Sequence, residues 1–240
     1  EKLSSLTELY LRTNFLRELP TGMAALTQLT ILHLDQNELS EISPWIRELT
    51  CLVDLSVSQN QLQYVTEAVG DLHRLRKLNL MSNKLMSIPP ELCRLQNMVS
   101  LNIDNNPLRS PPTEVHSKGF GLVMDYLKRL YASISSQNLH LASLGLVQFP
   151  VEAQLYPSLT RIDLGDNMIS ELPKSIGNHP NLNDLSVAHN QLTYVHPNIE
   201  QLFILTKLQL PFNKLETLPH SMSNLRNLKL LNLTENRLET

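Results

Sequence analysis

The residues that could carry out chemistry are few in this chain and widely spaced. His179, His189 and His196 lie near one another but lack an H-E-x-x-H spacing or ligand cysteines, so we expect surface histidines rather than metal ligands. Gly119 and Gly121 continue neither as a dinucleotide-binding motif nor as a phosphate loop. No serine, cysteine or carboxylate pair has a recognisable catalytic setting. We therefore expect no cofactor, no metal site and no enzyme activity within these residues.

Composition restricts the partners and the compartment. The formal charge of -3 and the pI near 6.3 show no basic excess, which argues against nucleic-acid binding. No stretch approaches the roughly 18 apolar residues of a membrane span, and no signal peptide is visible, although a removed leader stays open because the chain begins with Glu1. The two unclustered cysteines, Cys51 and Cys93, fit a reducing compartment, and we expect a cytoplasmic protein.

A period of 23 residues organises the rest of the sequence. Each repeat follows L-x-x-L-x-L-x-x-N-x-L, as over residues 29–39, and we number its positions from the first leucine or its substitute. The repeats begin at Leu6, Leu29, Leu52, Leu75, Met98, Ser136, Leu159, Leu182, Leu205 and Leu228. This pattern is typical of leucine-rich repeats and predicts an α/β solenoid. We expect an arc with a parallel sheet on its concave face and short helical or irregular segments on its convex face.

One repeat, residues 75–97, shows how such a face would form. Leu78 and Leu80 are two apart and point to one side of a short strand, so the residues between and beside them face outward. Residues 88–95 combine proline with apolar residues spaced i, i+3, which suits a short helical return leg. Ten strands about 4.8 Å apart would form one sheet about 45–50 Å long.

Position 9 is asparagine in all repeats except one. An amide both donates and accepts, so stacked copies could satisfy the main-chain groups of the turn. Leu144 is the exception, in the repeat that also begins with Ser136, which indicates an altered junction there. The ladder consists of Asn14, Asn37, Asn60, Asn83, Asn106, Asn167, Asn190, Asn213 and Asn236.

Positions 3, 5, 7 and 8 should form the concave surface. The acidic side chains there are Glu8, Asp35, Asp54, Asp104, Asp163, Asp166, Asp184 and Glu235, and the basic ones are Arg12, Lys77, Arg161 and Lys207. The excess of acids favours a protein partner with basic residues. Aromatic and arginine anchors usually dominate interface energy. The candidate partner-binding residues are Tyr10, Arg12, His33, Asp35, Asp54, Arg161, Asp163, Asp184, His189 and Phe212. The alternative is a solvated sheet face with one stray aromatic, Phe212.

The period slips once, between Met98 and Ser136, where 15 extra residues follow Pro111 and Pro112. Helical spacing predicts a helix over about 121–133. This helix either packs on the end of the first five repeats or docks a partner. Its expected apolar face is Val123, Tyr126, Leu127, Leu130, Tyr131 and Ile134.

The two halves of the chain resemble copies of one block. Residues 52–65 and 182–195 agree at 10 of 14 positions, and their offset of 130 equals five periods plus the insert. We expect a first repeat block over 1–112, a helical insert over 113–135, and a second block over 136–240 whose last repeat is incomplete. The chain is then a fragment, or something unseen caps its last repeat.

Two motifs carry a family resemblance. The motif L-P-x-x-I-x-x-L is represented by Leu172-Pro173-Lys-Ser-Ile176 and by Leu218-Pro219-His-Ser-Met222. A second motif opens at Asn106-Pro107-Leu108 and runs to Tyr126-Leu127. In these features the chain resembles intracellular leucine-rich-repeat proteins of the Ras-group and suppressor-of-Ras scaffold type. Roco GTPases use a similar closing segment, but here more repeats follow it directly. The resemblance implies a cytoplasmic scaffold that binds proteins through its concave face.

Three functional hypotheses follow from these observations. The first is a non-catalytic protein-interaction scaffold, with small-GTPase signalling implied by the resemblance alone. The second is the recognition region of a larger enzyme such as a Roco GTPase-kinase. The third is a structural component of a large assembly. The partner's identity and the oligomeric state do not follow from the sequence.

Overall fold

The computed structural model describes residues 3–239, and it divides the chain into two compact units. The first unit comprises Glu1–Thr113 with Val123–Lys128, and the second comprises Glu114–Leu122 with Arg129–Thr240. Each unit contains five repeats. We refer to these repeat arrays as the first block and the second block.

The first block forms a five-stranded parallel sheet in chain order. Its strands are β1 (Glu8–Tyr10), β2 (Ile31–His33), β3 (Asp54–Ser56), β4 (Lys77–Asn79) and β5 (Ser100–Asn102). Their register steps by one repeat, so that position 4 of each strand lies beside position 4 of the next. The return legs contain 3₁₀ helices at Thr21–Ala25, Pro44–Glu48, Glu67–Asp71 and Pro90–Arg94, as the proline and i, i+3 spacing predicts.

The second block forms its own five-stranded parallel sheet. Its strands are β6 (Asn138–His140), β7 (Arg161–Asp163), β9 (Asp184–Ser186), β11 (Lys207–Gln209) and β12 (Leu230–Asn232). A small second sheet pairs β8 (Glu171–Leu172) with β10 (Tyr194–Val195). The return legs contain a short helix α3 (Val151–Leu155) and 3₁₀ helices at Lys174–Asn178, Pro197–Gln201 and His220–Asn224. The expectation of one ten-stranded sheet is therefore wrong, because the inserted helical segment separates β5 from β6 along the chain.

The insert contains two helices, α1 (Thr113–His116) and α2 (Phe120–Ser136). Helix α2 begins one residue before the predicted helix and ends three residues beyond it. Of the six side chains expected on the apolar face of this helix, four are buried, but Tyr131 and Ile134 are 39% and 47% exposed. Ser133 is buried in their place and donates to the Leu130 carbonyl at 2.7 Å. The buried stripe is thus turned relative to the expected one, because a hydroxyl bonded within its own helix can enter the core.

The asparagine ladder joins neighbouring repeats as the sequence predicts. Asn60 Nδ2 donates to the carbonyls of Leu34, Val57 and Ser58 at 3.0, 3.3 and 3.1 Å, and its Oδ1 accepts from the Leu39 N–H at 3.0 Å. One side chain thereby ties the turn of its own repeat to the repeat before it. In all ten repeats the residue just before position 9 has a φ between 51° and 61°, which is left-handed backbone. That turn aims the position 9 side chain inward and leaves the position 8 side chain at the surface.

The one gap in the ladder is compensated locally. Leu144 is 1% exposed, and Asn167 Oδ1 accepts both its N–H at 3.1 Å and the N–H of Leu146 at 3.0 Å. In the ladder, the side-chain oxygen of each asparagine accepts a hydrogen bond from a main-chain N–H 21 residues earlier, as Asn60 does from Leu39. For an asparagine at 144, the corresponding residue is Val123. Val123 lies inside α2 and not in a repeat turn, so its N–H is not placed to donate to residue 144.

We expect Leu144→Asn to lower the free energy of unfolding by about 1.5 kcal/mol, because it would bury an amide without its inter-repeat acceptor role. Urea unfolding followed by circular dichroism measures the change. Leu144→Met keeps the apolar volume and should stay within about 1 kcal/mol of the parent. An unchanged urea midpoint for Leu144→Asn would show that the junction accepts a ladder amide.

Candidate protein-binding surface

The strand side of each block presents a polar surface on an apolar layer. Position 4 leucines such as Leu32 are fully buried, whereas their neighbours Ile31 and His33 remain partly exposed. This alternation follows from the two-residue period of a strand. We call the surface formed by positions 3, 5, 7 and 8 the sheet face, and each block has its own.

On the first block, the five candidate residues form one connected cluster. Arg12 Nε lies 2.9 Å from Asp35 Oδ2, and the Arg12 guanidinium also contacts His33 Nδ1. His33 Nε2 lies 3.2 Å from Asp54 Oδ1. The Tyr10 ring meets the His33 ring edge-on, with centroids 5.2 Å apart. The sequence places these residues on three adjacent repeats, and the structure brings their side chains into contact.

Asp35 is held by two serines that the sequence analysis did not single out. Its Oδ1 accepts from the Ser58 N–H at 3.0 Å, from the Ser58 hydroxyl at 2.6 Å and from the Ser56 hydroxyl. Burial alone would raise the pKa of Asp35, but these hydrogen bonds together with the charge of Arg12 lower it. The carboxylate is therefore ionised and internally bonded. The repeat register could have identified these serines from the sequence, because they occupy sheet-face positions 5 and 7 of the repeat that follows Asp35.

On the second block, an ion pair and a histidine–carboxylate contact cross between neighbouring strands. Arg161 Nε lies 3.7 Å from Asp184 Oδ2, and His140 Nδ1 lies 2.9 Å from Asp163 Oδ2. Asp163 Oδ1 also accepts the Gly165 N–H at 3.1 Å. His140 was not among the candidate residues, although its strand position places it one register step from Asp163.

His189 and Phe212 form the aromatic stack of this face. Their ring centroids are 4.3 Å apart and their planes differ by 10°. Phe212 is 46% exposed and its φ is 55°, a left-handed backbone that is unusual for a bulky side chain. Both side chains occupy position 8 of adjacent repeats. Phe212 thus stays at the surface in a conformation that aromatic residues rarely adopt.

His179 corrects the expectation of surface histidines. It is 0% exposed, and neither ring nitrogen has a hydrogen-bond partner in the described residues. Burial lowers its pKa below the ordinary value. The physical reason lies in the repeat, since His179 occupies position 21, where Leu49, Leu72 and Leu202 pack into the core of their own repeats.

The described residues form no metal site, and their two cysteines are not bonded to each other. Over 3–239, no three His, Cys, Asp or Glu residues are grouped so that they could hold a metal ion. Cys51 and Cys93 are both free thiols, and burial raises the pKa of Cys93. No helix within that range is long and apolar enough to cross a lipid bilayer.

Known structures that are similar to this chain include a leucine-rich-repeat protein, the ectodomain of a plant receptor kinase and an internalin. A leucine-rich-repeat protein of Leptospira interrogans is 32% identical, with coverage of 100% of this chain and 57% of its own, and a TM-score of 0.46. The ectodomain of the receptor kinase GASSHO1/SCHENGEN3 of Arabidopsis thaliana, solved with CASPARIAN STRIP INTEGRITY FACTOR 2, is 24% identical over 91% of this chain and 31% of its own, at a TM-score of 0.39. An internalin of Listeria monocytogenes is 19% identical over 99% and 70% of the two chains, at 0.41.

The chain thus spans 57% of the Leptospira chain and 31% of the Arabidopsis chain. None of the curated proteins matches it significantly. A family model described as leucine rich repeat matches residues 4–62, and a second model of that description matches 74–95 and 158–179. The 23-residue period, the parallel register in both blocks and these family models show that the chain has the leucine-rich-repeat fold, an α/β solenoid.

Proposed function

We propose that the chain is a non-catalytic scaffold that binds a protein partner through its sheet faces. Leucine-rich-repeat proteins generally mediate protein–protein interactions, and their stacked strands supply an extended binding surface. The observation that carries the proposal is the exposed His189–Phe212 stack on a face whose backbone the asparagine ladder holds. Rigid aromatic anchors of this kind concentrate binding energy in protein interfaces.

The charge of the face supports a partner with basic residues. Acidic side chains exceed basic ones at the sheet-face positions of the chain, and several of the acids remain at least partly exposed. Opposite charges on a partner would speed association and set its orientation more than they would raise affinity. Binding should therefore weaken between low and moderate salt.

The expected site on the second block is tested by a double substitution. Arg161→Ala together with Phe212→Ala should leave the fold intact, because both side chains are exposed, and should weaken partner capture at least about tenfold if they are interface anchors. Affinity capture from a cell extract, quantified by mass spectrometry at low and moderate salt, provides the measurement.

A matched control exists outside the sheet face. Phe15 and Arg17 are also an exposed aromatic and an exposed arginine, but they occupy positions 10 and 12 of the first repeat. The Phe15→Ala and Arg17→Ala pair should leave capture unchanged. Equal capture by the folded Arg161/Phe212 variant and the parent protein would remove these two residues from the binding site.

We further propose a cytoplasmic scaffold of the Ras-group and suppressor-of-Ras type, with a role in small-GTPase signalling. The motifs at 172–176, 218–222 and 106–127 support this assignment. The free thiols of Cys51 and Cys93 suit a reducing compartment. A small GTPase or its regulator among the captured proteins, lost in the Arg161/Phe212 variant, is the expected result.

A further inference from the structure

The position 8 side chains of the second block form a continuous row. From β7 onward the row reads Asp166, His189, Phe212 and Glu235, one residue from each successive repeat, and all four are exposed. Main-chain hydrogen bonds hold the row in register, since the His189 N–H donates to the Pro211 carbonyl at 3.0 Å and the Phe212 N–H to the Thr234 carbonyl at 2.8 Å. The row therefore has a carboxylate at each end and two rings between them.

The geometry of the stack leaves one ring face of Phe212 open. His189 covers one face, with nearly parallel rings 4.3 Å apart in the direction of the preceding repeat. The opposite face must then turn toward the following repeat, where Glu235 holds the same position. Phe212 is 46% exposed, and His189 accounts for only one of its two ring faces, so we infer that the second face can be reached by another molecule.

Over the described residues, the two carboxylates of this row differ from most acids of the sheet faces, and they share the lack of a side-chain partner only with Asp104 of the first block. Asp35, Asp54 and Asp184 each lie within ion-pair distance of an arginine or a lysine, and Asp163 contacts His140 and accepts the Gly165 N–H. Within residues 3–239, the side-chain carboxylates of Asp166 and Glu235 form neither a hydrogen bond nor an ion pair, whereas their main chains bond to neighbouring repeats. An aromatic face beside an unpaired carboxylate attracts a cation through both the ring quadrupole and the formal charge.

We propose that an arginine side chain of the protein partner stacks on the open face of Phe212 and pairs with Glu235. This assignment rests on the proposed function and adds the chemistry of the residue that is recognised. A guanidinium fits better than an ammonium, because it is planar, weakly hydrated and able to stack while its edge pairs with a carboxylate. The first block lacks this arrangement, since its row is Thr13, Gln36, Gln59, Ser82 and Asn105. The arginine site therefore belongs to the second block.

A titration that needs no partner protein tests this assignment. The full chain, labelled with ¹³C in its phenylalanine and histidine rings, is titrated with N-acetyl-arginine amide and followed by NMR. We expect saturable shifts of the Phe212 and His189 ring signals. N-acetyl-citrulline amide, which has nearly the same shape without the charge, should produce no such shifts, and the lysine analogue should bind more weakly.

Three variants locate the effect. Phe212→Gln should abolish the His189 shifts and fold normally, because Gln36 and Gln59 adopt the same left-handed backbone. Glu235→Gln should weaken binding about twofold to fivefold. Phe15→Gln removes an aromatic side chain that is 87% exposed but lies outside the row, and it should leave the titration unchanged.

The outcomes separate this assignment from the proposed function. Absence of ring shifts with the arginine probe, or equal shifts with citrulline, would overturn the arginine site even if partner capture still depends on Phe212 and Arg161. A different result would be that the Arg161→Ala/Phe212→Ala variant still captures the partner while the arginine titration behaves as expected. In that case the arginine site stands, and the scaffold function on this face does not.

Discussion

Replacing Asn60 by alanine should lower the free energy of unfolding by about 4 kcal/mol. The substitution removes four hydrogen bonds of a side chain that is almost fully buried. The Leu34 and Val57 carbonyls keep a second ladder donor in Asn37 and Asn83, but the buried Leu39 N–H loses its acceptor. The effect is large because the buried Leu39 N–H is left without an acceptor and the three hydrogen bonds donated by Asn60 Nδ2 are lost as well. Urea unfolding by circular dichroism, at constant m value, measures it.

Asn14 provides the control, because it is the same residue type at the exposed start of the ladder. Its amide donates only within its own turn, to the Leu11 and Arg12 carbonyls, both at 3.1 Å. Asn14→Ala should therefore change stability by about 1 kcal/mol or less. Similar losses at both positions would mean that the ladder acts through local turn propensity rather than through bonds between repeats.

His179→Leu should raise the free energy of unfolding by about 2 kcal/mol at pH 7, because it removes a buried imidazole with two unpaired nitrogens. Leucine suits this site because it occupies position 21 of other repeats, including Leu49 and Leu202, and is fully buried there. Thermal and urea unfolding of the two proteins in parallel measure the gain.

The gain should grow as the pH falls. The pKa of His179 is lowered by burial in the folded state, whereas in the unfolded chain it is about 6.5. Below about pH 6.5 the unfolded chain takes up a proton that the folded protein does not, so the parent protein loses stability as the pH falls toward the folded-state pKa. His179→Leu lacks this loss, and the difference between the two proteins should be larger at pH 5 than at pH 7.5.

The reverse substitution at the equivalent site of the next repeat serves as a control. Leu202 is fully buried at position 21, and Leu202→His should destabilise the protein by about 3 kcal/mol and add a second acid-sensitive step. If the stability of His179→Leu depends on pH between 5 and 7.5 as strongly as that of the parent, the buried imidazole is not the source of the dependence.

The repeat frame predicted most of the fold from individual residues. The L-x-x-L-x-L pattern places each strand and its inward leucines, and Asn60 and its counterparts form the expected ladder. The frame could also have identified His179 as buried, since position 21 is leucine in most repeats. The general preference of histidine for the surface predicts the opposite, because that preference takes no account of the position in the repeat.

The sequence by itself determined the repeat, the strand positions and the side of each strand that faces the core, because periodicity alone decides those properties. It also placed the ten candidate binding residues on outward-facing positions. Only the tertiary structure decided which of them touch. The hydrogen bonds from Ser56 and Ser58 to Asp35 depend on the strand register and on side-chain rotamers. The His189–Phe212 stack depends in addition on the left-handed turn at position 8. The division into two sheets was likewise decided in three dimensions, because strands pair through main-chain contacts, and here β5 pairs only with β4 and β6 only with β7.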